Sequence, residues 1–340
     1  MSRAAGTVAF TTTIPVEVIL AAGRRPLDLN NIFISDPRAA ELVEKAEAAG
    51  FPRSCCAWIK GLFSVLRDRH RELGITAFVA VTEGDCSNAK VLKELIEREV
   101  GLPSTFFSFP QDRSVAALKS EMEKLAAFLG TTPADAEKSR QALRPIRRSL
   151  EELDELSWRY PGLVTGADNH RWLVSASDFN GDPAAFEKEL HALLADKKAK
   201  TPEKRRDLLP LAYLGVPPIV DLYPFIEEKG AIVVFNEMQR EFSMPGEFPG
   251  LAEQYAAYTY PYAAEYRFSK AINEIRRRGV KGVIHYVQSF CHRQLEDIIL
   301  RRMLEEAGMK IPVLTLEGDK PQRVLDGRTR TRLEAFIEML

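Results

Sequence analysis

The sequence predicts an α/β protein made of two small parallel sheets with helices packed on them, and three observations carry this expectation. Short apolar runs alternate with longer amphipathic segments, the pattern of strands joined by crossover helices. These runs fall into two sets, divided by a long charged stretch at 114–159 without a strand pattern. The length of 340 residues is enough for about two domains.

In the first set, strands are expected at 8–10, 31–33, 75–81 and 105–109. The stretch 114–159 reads as helices broken around Thr131-Thr132-Pro133, with Thr132 capping the helix on its C-terminal side. Strands of the second set are expected at 209–214, 231–235, 282–287 and 313–316. Arg276-Arg277-Arg278-Gly279 reads as a helix end, with cations in the last turn and glycine at the C′ position, rather than a phosphate site. The lysine-rich run 197–206 reads as a solvated linker or helix end. No internal repeat is visible in the residues, although the halves share a βα rhythm. The expected division is an α/β domain at 1–130, a helical connector at 131–165 and a second α/β domain at 166–340.

Hydrophobic residues make up 45% of the chain and charged residues 28%, so each half can build its own core. The formal net charge of −1 argues against nucleic acid and anionic membrane surfaces as partners, which call for a basic excess. No apolar run approaches the roughly 20 residues that span a bilayer, and the N-terminus lacks the apolar core of a secretion signal, so a cytoplasmic protein is expected. Gly-x-Gly-x-x-Gly after a strand, the Gly-x-x-x-x-Gly-Lys-Ser/Thr loop and the Gly-x-Ser-x-Gly elbow are all missing. NAD binding, ATP hydrolysis and serine hydrolase chemistry are accordingly not expected.

The four cysteines are Cys55, Cys56, Cys86 and Cys291. They are too sparse for a disulfide scaffold, and a bridge between neighbours Cys55 and Cys56 would be strained. Cys86, in Thr82-Glu83-Gly84-Asp85-Cys86-Ser87-Asn88, directly follows one predicted strand. Cys291, in Gln288-Ser289-Phe290-Cys291-His292, directly follows another. Open α/β sheets place their sites beyond the carboxyl ends of the strands, so these positions suggest a shared site in a cleft between the domains. A helix N-terminus also favours the thiolate that metals bind. The Cys55-Cys56 pair supplies a third arm, and three thiolates without a Cys-x-x-Cys suggest a cluster or open metal site rather than a zinc ribbon. His70, His170, His191 and His285 read as packing residues. His292 either donates a hydrogen bond to a cluster sulfur or sits in a first helical turn. Glu83 and Asp85 read as partners of a helix dipole. No catalytic acid or base is identified.

Three N-terminal features resemble the first domain of a known family: 14–26 (Ile14-Pro15-Val16-Glu17 through Gly23-Arg24-Arg25-Pro26), Cys56-Ala57-Trp58-Ile59-Lys60-Gly61, and the turn around Asp85-Cys86. Phe290-Cys291-His292, 311–319 (Ile311-Pro312-Val313 through Glu317-Gly318-Asp319) and 328–338 resemble its second domain. This is the 2-hydroxyacyl-CoA dehydratase/benzoyl-CoA reductase family, in particular the 2-hydroxyglutaryl-CoA dehydratase D-component, and the likeness covers nearly the whole chain. It implies two flavodoxin-like (Rossmann-like) domains holding a [4Fe-4S] cluster in the interdomain cleft. Carried over residue by residue, the implied ligands are Cys56, Cys86 and Cys291, with one iron left open. Cys56 is preferred for its spacing to Lys60; Cys55 is the alternative or a fourth ligand. Ser87, Ser289 and His292 are implied donors to the cluster sulfurs by adjacency. The resemblance further implies an ATP-dependent iron-sulfur activator that delivers low-potential electrons, a homodimer or homologous sister subunit, and radical dehydration or reduction of an acyl-CoA substrate by a lyase or related reductase. An alternative is an electron-transfer protein or small-molecule reductase of the same family that does not act on acyl-CoA. A cluster-free homologue, whose cysteines only pack, is the third reading. Four cysteines are too few for one chain to hold a double-cubane cluster. Arg24, Arg25 and Lys281 are cations near predicted loops, and surface charge is their simpler role.

Overall fold

A computed structural model describes residues 6–200, 207–322 and 324–340. The N-terminus before Gly6 and the part of the lysine-rich run at 201–206 lie outside the described residues. Strands β1 (Thr7–Phe10), β2 (Arg25–Asp28), β3 (Ile75–Glu83) and β4 (Ser104–Ser108) form a parallel sheet in the order β2-β1-β3-β4. Strands β5 (Leu209–Gly215), β6 (Ala231–Asn236), β7 (Gly282–Gln288) and β8 (Val313–Gly318) form a second parallel sheet in the order β6-β5-β7-β8. In both sheets the order is second, first, third, fourth, which is that of flavodoxin-like folds. The α/β expectation holds, and the shared βα rhythm is a repeat of topology.

The chain forms two compact units. The first contains the described residues up to Arg147 together with Ser175–Phe186 and Gly246–Tyr262. The second contains those of Arg148–Val174, Glu187–Pro245 and Ala263–Leu340. Each sheet buries both faces, with Phe33, Phe63, Phe78 and Leu92 in the core of the first and Leu214, Val234, Phe268 and Ile275 in that of the second. Burial on both sides explains why the strands read as nearly unbroken apolar runs.

One expected strand is corrected. Residues 31–33 belong to the helix Leu29–Ser35, and the strand lies earlier, at β2. Asp28 ends that strand and starts the helix, its carboxylate accepting the Asn30 N–H at 2.9 Å as an N-cap. The apolar Phe33 that suggested a strand is the buried face of the helix. It packs edge-on against Trp58 and so closely on Gly61 that a Cβ there would lie 2.2 Å from the ring. Pro26 is tolerated in β2 because β2 is an edge strand.

The charged stretch is helical as expected, with helices Val115–Leu129 and Pro133–Arg159. Ser114 Oγ accepts the Ala117 N–H, and Thr132 Oγ1 accepts that of Asp135. The arginine run ends the helix Ala264–Arg277, and Gly279 adopts the left-handed conformation of a C′ glycine (φ 64°). Arg278 goes beyond capping. It is buried, bonds Asp154 Oδ1 at 3.0 Å and Oδ2 at 2.5 Å, and donates to the Val234 carbonyl at 2.7 Å.

That last bond belongs to a wider pattern, because side chains also occupy backbone groups on the other edge strands. Arg301 and Arg332 donate to the carbonyls of Val313 and Thr315 on β8. Asp178 accepts the Asp28 N–H at the end of β2, and Glu121 accepts that of Ser108 on β4. Among the described residues no helix is long and apolar enough to cross a membrane.

Candidate functional site

Cys86 lies three residues beyond the end of β3, and Cys291 three residues beyond the end of β7. Since β3 and β7 are the third strands of their sheets, the two thiols occupy equivalent turns of the two units, at the carboxyl edge where flavodoxin-like sheets switch direction.

In the first unit the Cys86 turn opens with Gly84 (φ 90°) and leads into the helix Asn88–Glu99, with the Cys86 carbonyl accepting the Ala89 N–H at 2.9 Å. Ser87 is exposed at the start of that helix and makes no side-chain cap bond. The turn is held from outside by residues distant in sequence. Tyr260 donates to Asp85 Oδ1 at 3.3 Å, and Pro261 sits where a Cβ on Gly84 would be, 2.5 Å from the proline Cβ. A Gly84→Ala substitution meets both this obstruction and an unfavourable φ, so a loss of about 1–3 kcal/mol is expected, measured as a lower urea midpoint.

The Cys291 turn of the second unit is bonded more densely. The Ser289 N–H reaches the Gly318 carbonyl at 2.7 Å, and the Ser289 hydroxyl donates to Glu317 Oε1 at 2.7 Å. Gln294 Nε2 donates back to the Gln288 carbonyl, and Gln288 Nε2 to that of Asp319. Phe290 takes a left-handed φ of 62°, unusual for a residue with a bulky side chain, and Cys291 itself starts the short 3-10 helix His292–Leu295. Partial burial and the adjacent Arg293 hold the His292 imidazole below the ordinary histidine range.

The third arm is resolved into two environments. Cys56 is buried and forms the N-cap position of the helix Ala57–Arg69, although its thiol makes no cap bond. Cys55 is half-buried and lines a cleft of about 400 Å³ in the first unit with Phe51, Ile59, Val91 and Leu95. Burial pushes the Cys55 thiol pKa up, against the opposing pull of Lys60. Lys60 itself is buried, pairing with Glu47 at 2.8 Å and the Arg53 carbonyl at 3.0 Å, so it braces the loop that carries both cysteines.

None of the four cysteines is in a disulfide. Among the described residues, no group of three or more His, Cys, Asp or Glu side chains is drawn together tightly enough to hold a metal ion. The donor chemistry nevertheless suits a thiolate-bound cluster, because Cys56 and Cys291 stand at N-cap positions and Cys86 just ahead of one. Cys55, Cys56 and Cys86 belong to the first unit and Cys291 to the second.

Other candidates have structural roles. His285 is buried on β7 and paired with Asp297 at 2.8 Å, whereas His191 meets Ser149 and His170 meets Gln239. Arg24 and Arg25 lie at the start of β2 and Lys281 just before β7, so all three are at the amino ends of strands, away from the cysteine turns of their own units. Sequence reading did not find Tyr260 or Pro261, which act on the Cys86 turn from far along the chain and sit in no motif; Gln288 and Glu317 lie within segments singled out from the sequence, but their bonds at the Cys291 turn were not foreseen.

Two flavodoxin-like sheets with cysteines at equivalent strand ends define an α/β protein with paired thiol-bearing turns. Residues 11–340 match the family described as 2-hydroxyglutaryl-CoA dehydratase, D-component, and the chain belongs to that family. It is therefore a component of a 2-hydroxyacyl-CoA dehydratase-type enzyme. No curated protein matches the chain.

Proposed function

We propose that the protein is the subunit that carries a [4Fe-4S] cluster in such an enzyme, with Cys56, Cys86 and Cys291 as ligands and one iron open. The observation that supports this reading best is the matched placement of Cys86 and Cys291, each three residues past the third strand of its sheet. A cluster bound in this way supplies an electron donor and a Lewis acid at one place. The chain's own contribution is to present thiolates from both units. Each turn is held by hydrogen bonds from elsewhere in its own unit, which fix the direction of the cysteine. Cys56 is preferred over Cys55 because it stands at the helix start, whereas Cys55 lines a cleft.

In this reading an ATP-dependent iron-sulfur activator delivers low-potential electrons, and a second copy or a sister subunit completes the enzyme in the cytoplasm. The reaction is dehydration of a 2-hydroxyacyl-CoA, or reduction of a related acyl-CoA. Anaerobic reconstitution of the full chain is expected to give roughly four iron atoms per chain and a broad visible absorption that bleaches on reduction. A colourless, iron-free protein after reconstitution overturns the proposal. Turnover of a 2-hydroxyacyl-CoA with the matching activator separates a dehydratase from an electron-transfer relative. Cys86→Ser and Cys291→Ser are each expected to lower bound iron at least several-fold, whereas Cys55→Ser keeps it. Iron retained in both of the first two variants would remove them from the ligand set.

A further inference from the structure

In the second unit, four alternating charges run along the carboxyl edge of the sheet and end beside the Cys291 turn. Glu237, the first residue after β6, accepts the N–H of Gly215 at the end of β5 through Oε2, at 3.3 Å. Its other oxygen accepts Arg267 Nε at 2.8 Å. Arg267 Nη1 then reaches Glu296 Oε2 at 2.5 Å, and Glu296 Oε1 accepts Arg293 Nη1 at 2.9 Å. Arg293 lies in the 3-10 turn that Cys291 begins, and Glu296 opens the helix Glu296–Glu306 that comes next. One guanidinium thus ties the ends of β5 and β6 to the segment that bears the thiol.

Arg267 is an expensive way to fill this space. Its side chain is 1% exposed, and its third donor, Nη2, is buried without a hydrogen-bond partner among the described residues. Buried ion pairs are commonly matched or exceeded in stability by apolar residues of similar volume, and an unmet buried donor costs a further ~1–3 kcal/mol. Stability alone gives little reason for the residue. What the chain of charges does supply is a fixed direction: both Glu296 oxygens are committed, so the turn between Cys291 and Glu296 has one orientation. The strained Phe290 backbone at its start is held in place at the other end by the Ser289 and Gln294 bonds.

We propose that Arg267 is a positioning residue for the Cys291 turn, fixing through Glu296 and Arg293 the orientation in which the thiolate is presented to the cluster. The inference rests on the reading of Cys291 as a cluster ligand. Residues that orient metal ligands typically change metal affinity about 10–100-fold when replaced.

The test uses the full chain, wild type and the variants Arg267→Met, Arg267→Lys and Glu296→Gln. Amide exchange over 288–298 is measured without the cluster, and iron loss to a chelator and the EPR spectrum of the reduced cluster after anaerobic reconstitution. Arg267→Met and Glu296→Gln are expected to lose iron about 10–100-fold faster, with altered EPR g-values and faster exchange confined to 288–298. Arg267→Lys, which keeps the charge and one hydrogen bond, is expected to recover part of each effect. If Arg267→Met does not fold, Glu296→Gln decides the matter. Wild-type iron retention and g-values in Glu296→Gln, or exchange that rises evenly through the whole second unit, overturn the proposal. A wild-type protein that binds no iron overturns the cluster reading instead, and exchange over 288–298 still decides whether Arg267 positions the turn.

Discussion

Replacing Asp154 by alanine is expected to destabilise the second unit by about 3–5 kcal/mol, read as a lower urea midpoint of its unfolding transition. Asp154 is buried in the helix Pro133–Arg159 and accepts from Arg278, Arg240 and Asn169. Desolvation would raise its pKa, but Arg278 and Arg240 outweigh it and hold the carboxyl at about 2. Removing the carboxylate leaves Arg278, whose side chain is fully buried, paired among the described residues with Glu274, and leaves Arg240 paired with Glu241. The loss arises mainly from these stranded cations, so Asp154→Leu combined with Arg278→Met is expected to recover much of it. The folded-state pKa is depressed, so this contribution is present above the ordinary carboxylate range and is lost as pH falls towards 2. An Asp154→Ala protein that unfolds at the wild-type midpoint would show that the network contributes nothing.

The opposite pH dependence is expected from a carboxyl pair in the first unit, where Asp28→Asn should stabilise the protein at pH 8 by on the order of 1–3 kcal/mol. Asp28 and Asp178 are both buried, and Asp178 accepts the Asp28 N–H at 2.8 Å. Burial raises Asp28 to about 6; burial and the neighbouring Asp28 charge raise Asp178 to about 7. Groups with raised folded-state values favour the folded state below the ordinary carboxylate pKa, and that advantage disappears as pH rises through about 6 to 7. Asparagine at 28 keeps an acceptor for the Asn30 N–H and side-chain amide and removes one of the two charges. The gain over wild type should therefore grow between pH 5.5 and pH 8 in urea unfolding. A pH-independent difference would place the effect in packing instead of ionisation.

Most of the fold was legible because strands buried on both faces leave an apolar signature that survives without knowledge of their partners. Among the described residues, seven of the eight strands lie where the apolar runs predict them. The exception, 31–33, shows the limit of that signal: a short apolar run is compatible with a strand or with the inner face of a helix, and the Asp28 cap decided between them. At the site, the strand-end positions of Cys86 and Cys291 could be read directly, since they depend on local order along the chain. Tyr260 on Asp85, and Arg267 on Glu296, could not, because such contacts join residues separated by whole elements and carry no periodicity. Arg278 was read by its place at a helix end, and only the fold reveals that its guanidinium turns inward to Asp154.

The side chains set against the edge strands limit how the protein can associate. With carbonyls of β6 and β8 taken by arginines, and N–H groups of β2 and β4 taken by carboxylates, a foreign strand that tried to extend either sheet would first have to displace charged hydrogen bonds. Association through the sheet edges is thereby disfavoured, and contacts with other chains are directed to side-chain surfaces, a built-in safeguard against edge-to-edge aggregation.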